Sequence, residues 1–535
     1  MNALFKPHHG AITLFINDQP YPCTAYKSTE MPDDRLFEET VRRSVADLAE
    51  RGVHVHFVPI FFDWPAPDQY DFSRMDWRVG QVLAADPQAW VVIRIQAASM
   101  APQWWMEAHP DGVLQFGFGR GVELPRPRFQ TRPAPSLGSN FWEEAGLPAL
   151  RALAEHVKTQ PYADRVIGYL PTAYNTNEWF FRSTDPLQVS DLCPAMEKAF
   201  NRWLKEKYGL EGAYRIPDRA DRHLADRGYL FDPDPRRSRA PVAAYHRFVN
   251  ELCAETIIKV CKTLRQAHAP DRIIVGTFYG YLLELAQFPW LAESGHLDLQ
   301  RLLQADGPDF TCSPLVYFTR NPHELPGGGW TWSLSPAVDS ARPAGKAYFG
   351  EDDFGPPDGI GLSTWIGASN TAEDVALIQH NFAFTLCKGQ NQWWYDLRGH
   401  DYESPERLQT LKECAQIARE ALERDRSTVS EVAVVMDEKT PMLVQLDLEF
   451  QRSLFWRNFF DSFARIGAPV DLFLLSSLGQ ADLSRYKIIF FPTCFSLSTT
   501  DRERIQRLKS GGRTLVFYQA DGFIDPESDQ PFDLE

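Results

Sequence analysis

No two of the eight cysteines form a C-x-x-C pair. Cys23, Cys193, Cys253, Cys261, Cys312, Cys387, Cys414 and Cys494 lie far apart, which excludes the common zinc and redox motifs and reads as reduced, buried thiols. No apolar run reaches the roughly 18 residues that a membrane span needs. Basic side chains are outnumbered: 55 Lys and Arg face 71 Asp and Glu, a net charge of −16 and the wrong sign for a chain that grips nucleic acid. Met1–Gly10 carries Lys6, Pro7, His8 and His9 with no apolar stretch behind a basic start, so no secretory signal is legible and the expected location is the cytoplasm. Internal repeats and low-complexity tracts are missing too. What remains is an ordinary globular composition, 44% hydrophobic and 24% charged over 535 residues, enough for a large barrel with a smaller unit behind it.

The strongest regularity is a succession of eight short β-type runs, each ending in a polar or aromatic cluster and followed by a helical pattern. The predicted strands are Tyr21–Lys27, Val53–Ile60, Trp90–Gln96, Val166–Pro171, Ile273–Phe278, Phe310–Val316, Ala347–Gly350 and Gln392–Asp396. Between the first two, Leu36, Phe37, Val41, Val45 and Leu48 recur at helical spacing, with Asp33 or Asp34 as N-cap and Gly52 just past the end. Eight such units predict a (β/α)8 TIM barrel over 1–424, enlarged by the Pro- and Arg-rich loops Gly117–Ser139 and Asp218–Pro241. Past Arg424 the pattern changes. Strands Val432–Met436, Val470–Leu474, Lys487–Phe491 and Thr514–Tyr518, with helices Arg452–Ile466 and Thr500–Lys509, predict a smaller doubly wound α/β domain of flavodoxin-like type over 425–535.

Function in this barrel class sits at the C-terminal ends of the strands. There, the fourth run leads through Tyr174-Asn175-Thr176-Asn177 to Glu178, and the seventh ends in Glu351-Asp352-Asp353. Hydrolysing a glycosidic bond with retention needs one carboxyl group to protonate the leaving oxygen and a second, about 5 Å away, to attack the anomeric carbon. Strands four and seven face each other across a barrel mouth. Glu178 is therefore the candidate acid/base, its pKa raised by a negative partner and apolar walls, and Glu351 the nucleophile, with Asp352 and Asp353 as competitors. A second Asn-Glu pair, Asn250-Glu251, falls in a helical pattern and reads as helix surface.

Asn177 is placed to hydrogen-bond a sugar hydroxyl, and Trp179, Tyr279, Tyr317, Trp330 and Trp393 to pack against sugar rings, whose C–H faces suit aromatic planes. In the doublet Trp393-Trp394 one residue should face the lumen and the other the helices. Arg94, inside strand three, is either a satisfied barrel-interior charge or a binder of substrate hydroxyls or of a catalytic carboxylate. His54 and His56 share a strand face but lack a third metal ligand, so no metal site is assigned. Cys494 follows a strand of the second unit without the glycines of a sharp nucleophile turn and reads as a buried thiol.

With these residues assembled, the chain resembles clan A glycoside hydrolases, and among them the glycoside hydrolase family 42 β-galactosidases. The likeness rests on Trp64 with Tyr70-Asp71-Phe72-Ser73 and Asp76, Ala101-Pro102-Gln103-Trp104, Val166-Ile167-Gly168 leading to Asn177-Glu178, and Asp339-Ser340 through Gly345-Lys346 to Glu351. Carried over, it implies Glu178 as acid/base, Glu351 as nucleophile, no cofactor, and an amidotransferase-like trimerisation domain from Ser430, hence a homo-oligomer, trimer or dimer. Four features depart from the family pattern: Ala66-Pro67-Asp68-Gln69 in the strand-two loop, Asn175-Thr176 before the Asn-Glu pair, the lack of the zinc-binding cysteine cluster of some members, and the lack of the C-terminal β domain. The expected activity is a retaining exo-β-glycosidase, β-galactosidase-like, acting on a carbohydrate. The alternatives are a clan A glycosidase for another sugar, or a carbohydrate-binding barrel without catalysis.

Overall fold

The computed structural model describes residues 1–30, 32–97, 101–117, 133–181, 188–222, 230–286, 288, 290–314, 335–353, 368, 370–399, 401–445, 455, 462–463 and 466–532. Eight parallel strands close a barrel in chain order: β1 Thr24–Lys27, β2 Val55–Ile60, β3 Trp90–Gln96, β4 Val166–Thr172, β5 Ile274–Phe278, β6 Phe310–Pro314, β7 Ala347–Asp352 and β8 Asn391–Tyr395. Each matches its predicted run to within a few residues. The strands are buried nearly throughout because helices cover their outer faces while side chains fill the inside. Phe57, Phe278, Phe310, Phe349 and Trp393 form the inner aromatic stack, and Phe5 of an N-terminal antiparallel ribbon, Ala3–His8 with Ala11–Ile16, plugs it from below.

The first barrel helix starts where the sequence places it. Asp33 is the N-cap, accepting from the backbone N–H groups of Arg35 and Leu36, and Gly52 closes the turn beyond with φ +83. Its middle, Val41–Val45, is a π-helical turn. The longest helix, Val242–His268, carries Asn250 and Glu251, and here the expectation of a surface pair is corrected. Both are buried: Glu251 binds Lys207, Arg247 and Trp203, while Asn250 donates to the carbonyls of His246 and Ala292. A polar pair inside a long helix is satisfied by the elements packed on it, which periodicity alone does not reveal. Seven of the cysteines are buried as expected, but Cys387 is exposed.

The second unit is a separate parallel sheet of β9 Val432–Met436, β10 Val470–Leu474, β11 Ile488–Phe491 and β12 Thr514–Phe517, in the order β10-β9-β11-β12. The predicted helix Arg452–Ile466 lies mostly outside the described residues. The edge strand β10 leans on the barrel helix Pro336–Ala341: the N–H of Leu472 donates to Asp339 Oδ2 (2.8 Å) and that of Leu474 to Ser340 Oγ (2.9 Å). An edge that would otherwise expose unpaired amides is thus closed by side chains. Lys388 clamps the same seam, 2.8 Å from Asp339 and 2.7 Å from Asp471. Among the described residues no helix is long and apolar enough to cross a membrane.

Candidate active site

At the C-terminal end of the barrel, β7 alternates as a strand must. Phe349 points inward and Glu351, two residues on, shares its face. Asp352 points the other way, where Asn381 Nδ2 of the flanking helix Thr371–Cys387 donates to its Oδ1 (3.1 Å). That alternation separates Glu351 from its neighbour Asp352. Glu351 is 5% exposed, and its Oε2 takes two donors: Trp393 Nε1 at 2.9 Å and the ammonium of Lys27, from the end of β1. Trp393 is the lumen-facing half of its doublet; it sits in the inner aromatic stack and orients Glu351.

Glu178 reaches the same mouth from the loop after β4. Tyr174, Thr176, Asn177 and Trp179 all hold positive φ, between 54 and 64. Four left-handed non-glycine residues in six are costly and survive only where surroundings over-determine them, as at functional sites. The surroundings are visible. His296 Nε2 donates to the Glu178 carbonyl (2.8 Å); burial holds that imidazole far below its ordinary pKa, at about 3, so it is neutral. Tyr281 Oη donates to Glu178 Oε1 (3.0 Å) and Thr176 Oγ1 to Oε2. Burial first, and the charge of Glu351 second, push the Glu178 carboxyl up to about 7.

From Glu351 a chain of charge runs through Lys27 and Glu30 to Arg94. Lys27 is buried, bonded to Glu351 on one side and 2.9 Å from Glu30 Oε1 on the other, with its ammonium 3.4 Å from the centre of the Tyr395 ring. Arg94 pairs with the same Glu30 oxygen, and Asn177 Nδ2 donates to Glu30 Oε2 (3.3 Å). Burial, then Arg94, lower the Lys27 ammonium to about 8. Arg94 is therefore a paired barrel-interior charge whose partner, Glu30, belongs to the mouth.

Two candidate sugar-stacking residues are elsewhere. Trp179 is fully buried, stacked on Trp142 with its indole N–H toward the Pro171 carbonyl. Tyr279 is fully buried as well; its hydroxyl accepts from the Asp298 N–H on the helical side, and its ring stacks on His296. Both support the mouth from behind, as corrections to a substrate-contacting role. Tyr317 and Trp330 lie outside the described residues. Sequence reading missed Lys27, Glu30 and His296 as site residues, and it placed Tyr281 among the sugar-side aromatics without its hydrogen bond to Glu178. His54 and His56 share Asp86 Oδ2 at 3.0 and 3.1 Å, and among the described residues no group of His, Cys, Asp and Glu has metal-holding geometry.

No family profile matches the sequence. Solved structures do match. The β-galactosidase of Bacillus circulans sp. alkalophilus superposes with a TM-score of 0.64 at 15% identity, over 95% of this chain and 73% of that one. The β-galactosidase of Rahnella sp. R3 gives 0.65 at 16%, over 98% and 73%. This chain shares their fold. An exo-carrageenase of glycoside hydrolase family 42 from Bacteroides ovatus gives 0.59 at 10%, over 99% of this chain and 69% of that one. The likeness takes in both the barrel and the second sheet.

Proposed function

We propose that this chain is a retaining exo-β-glycosidase of β-galactosidase type, with Glu178 as acid/base and Glu351 as nucleophile. The observation that carries the reading is the asymmetric pair of carboxyls at one barrel end: Glu178 sits among hydroxyls, raised by burial and by the charge of Glu351, while Glu351 is ion-paired to Lys27. Such a difference in surroundings between two neighbouring acids suits one to give a proton and the other to attack. The shared fold with two β-galactosidases supports the substrate class, and with it a carbohydrate partner.

In the reaction, the Glu351 carboxylate attacks the anomeric carbon as Glu178 gives its proton to the departing glycosidic oxygen, leaving the sugar esterified to Glu351. Lys27 and Trp393 both hold Oε2, which fixes the carboxylate plane and leaves the attack to Oε1. Esterification removes the charge that was raising Glu178. Its pKa therefore falls in the intermediate, which turns it into the base that takes a proton from water as the water displaces Glu351. Tyr281 and Thr176 serve both states, because a hydroxyl donates to a carboxylate and accepts from a carboxylic acid. The second unit, by its resemblance to a trimerisation domain, packs copies of the chain into a trimer or dimer.

A panel of aryl β-glycosides tests the assignment. Glu351→Gln should lose about 10⁴-fold or more of kcat/KM on every substrate turned over. Glu178→Gln should lose about 10²- to 10⁴-fold with a poor leaving group and far less with 2,4-dinitrophenol, which departs without a proton. Native activity in both variants, or no turnover of any glycoside by the native chain, refutes the reading.

A further inference from the structure

The second sheet changes winding direction once. From β9 the chain moves outward to β10, then crosses back to β11 and on to β12, so the switch lies between β9 and β11. In open parallel sheets, the crevice beyond the strand C-termini at such a point is where ligands bind. Here that crevice is a cavity of about 480 Å³, within the range of roughly 300–1,000 Å³ that small-molecule sites occupy. One wall is Glu438, Ser496 and Glu527, which follow β9, β11 and β12. The facing wall comes from the barrel: Arg247 of the helix Val242–His268, and Asp298 and Arg301 beyond it. The floor is Ala243, Ala244, Leu297, Met442 and Leu443. None of these residues belongs to the mouth around Glu178 and Glu351.

The lining sorts its possible ligands. Every arginine is already matched: Arg247 to Glu251 (2.7 Å), Arg301 to Asp298, Arg236 to Asp234 (2.7 Å) and Arg237 to Asp232 (2.8 Å). A phosphate would have to break such pairs or rest on Lys439 alone, which is half exposed and 3.9 Å from Asp501. A divalent cation finds no suitable ligand group among the described residues. Glu438, held by the Leu299 N–H and by Ser476, is pushed by burial up to about 8 and is a neutral acid near pH 7. What the walls present is guanidinium–carboxylate pairs with donors and acceptors side by side, above an apolar floor. Vicinal hydroxyls, each donating and accepting, fit that pattern, and the C–H face of a sugar ring fits the floor. We propose that this cavity is a second carbohydrate site, taking a neutral mono- or disaccharide and joining the barrel to the second unit. It does not depend on hydrolysis at the barrel mouth.

Met442 in the floor provides a local probe. With methionine methyl groups labelled with carbon-13 and the Met442 signal assigned through Met442→Leu, the full chain is titrated with galactose, glucose and inorganic phosphate to about 100 mM; lactose is titrated in Glu351→Gln, which prevents turnover. At least one sugar should shift the Met442 signal saturably. Arg247→Gln and Arg301→Gln, checked for unchanged melting, should each weaken that response about tenfold. The native titration stands even if an arginine variant does not fold. Silence of Met442 toward all three sugars, saturation by phosphate instead, or native affinity in both folded arginine variants overturns the proposal. Loss of hydrolysis alone, with the Met442 response intact, bears only on the barrel mouth.

Discussion

The molecule contains two parallel sheets, and at the C-terminal end of each lies a group of buried acids. Burial raises Glu178 at the mouth as it raises the acids of the second sheet, but the mouth also holds acids that share a buried cation. At the barrel mouth, Glu351 and Glu30 share the buried ammonium of Lys27, and Arg94 adds a second cation beside Glu30. At the end of the second sheet, Asp437, Glu438 and Asp521 are raised by burial to about 6, 8 and 7, and the nearest lysine, Lys439, is half exposed. Cations buried with their carboxylates allow charge to persist in a low-dielectric site, whereas acids buried without them take up protons and become hydrogen-bond donors. The same strand-end position therefore holds cation-paired carboxylates in one unit and acids raised by burial in the other. Cys494 of the second unit fits this account: burial pushes its thiol well above the ordinary value, which makes it a poor nucleophile.

The sharpest way to break the comparison is to take the cation out of the mouth. Lys27→Met leaves Glu351 and Glu30 without their shared ammonium. Removing one partner from a buried pair costs about 3–5 kcal/mol, so denaturant unfolding near pH 7 should show a loss of that order. If Glu351 is the nucleophile, kcat/KM on an aryl β-glycoside should fall by about 10²- to 10³-fold, as when one electrostatic contact is removed from a catalytic group. The stability loss should shrink at acid pH as protonation relieves the unpaired acids, whereas the activity loss should not, because attack needs the Glu351 carboxylate. A variant with native stability and activity would mean that Lys27 is dispensable and the contrast between the two sheets is incidental.

The converse experiment is at Glu438. Its folded-state pKa of about 8 lies above the ordinary 4.5, so the stability it contributes is complete below 4.5 and is lost as pH rises through 8. Glu438→Gln keeps the shape and the neutral form but cannot ionise. Between about pH 5 and about pH 9 the native chain should lose about 4 kcal/mol relative to the variant, measured as the difference in unfolding free energy. Parallel pH curves would show that Glu438 does not titrate in this window.

How much of this was readable beforehand depends on whether a residue's neighbours are local. The barrel strands were, because β-type runs bounded by turn residues need only their own few positions, and Glu178 and Glu351 could be placed by where those runs end. Lys27 was not. A lysine closing a strand reads as solvated, and only closure of β8 against β1 brings it beside Glu351. Glu30 is in the same position. Tyr279 and Tyr281 follow the end of β5, where Gly280, at φ +94, turns the chain, so the first hydroxyl meets the Asp298 N–H and the second Glu178. Trp179 is misread for a related reason: its own left-handed backbone tucks the indole beneath the loop.

The smallest expected effect refines the mouth rather than breaking it. If Glu178 is the acid it must carry its proton, so kcat/KM should hold below its pKa of about 7 and fall above it. The Tyr281 hydroxyl pulls that value down, since it donates to the charged form, whereas burial and Glu351 push it up. Tyr281→Phe removes only the lowering contribution. The alkaline limb of the pH profile should therefore move upward, by less than about one unit, while the rate at low pH changes less than about tenfold. A downward move would mean that Tyr281 stabilises the protonated acid instead, so that its hydroxyl faces the carboxyl as an acceptor in the resting state. An unmoved limb would assign the titration to a group other than Glu178, with Lys27, lowered to about 8 in the same network, the next to test.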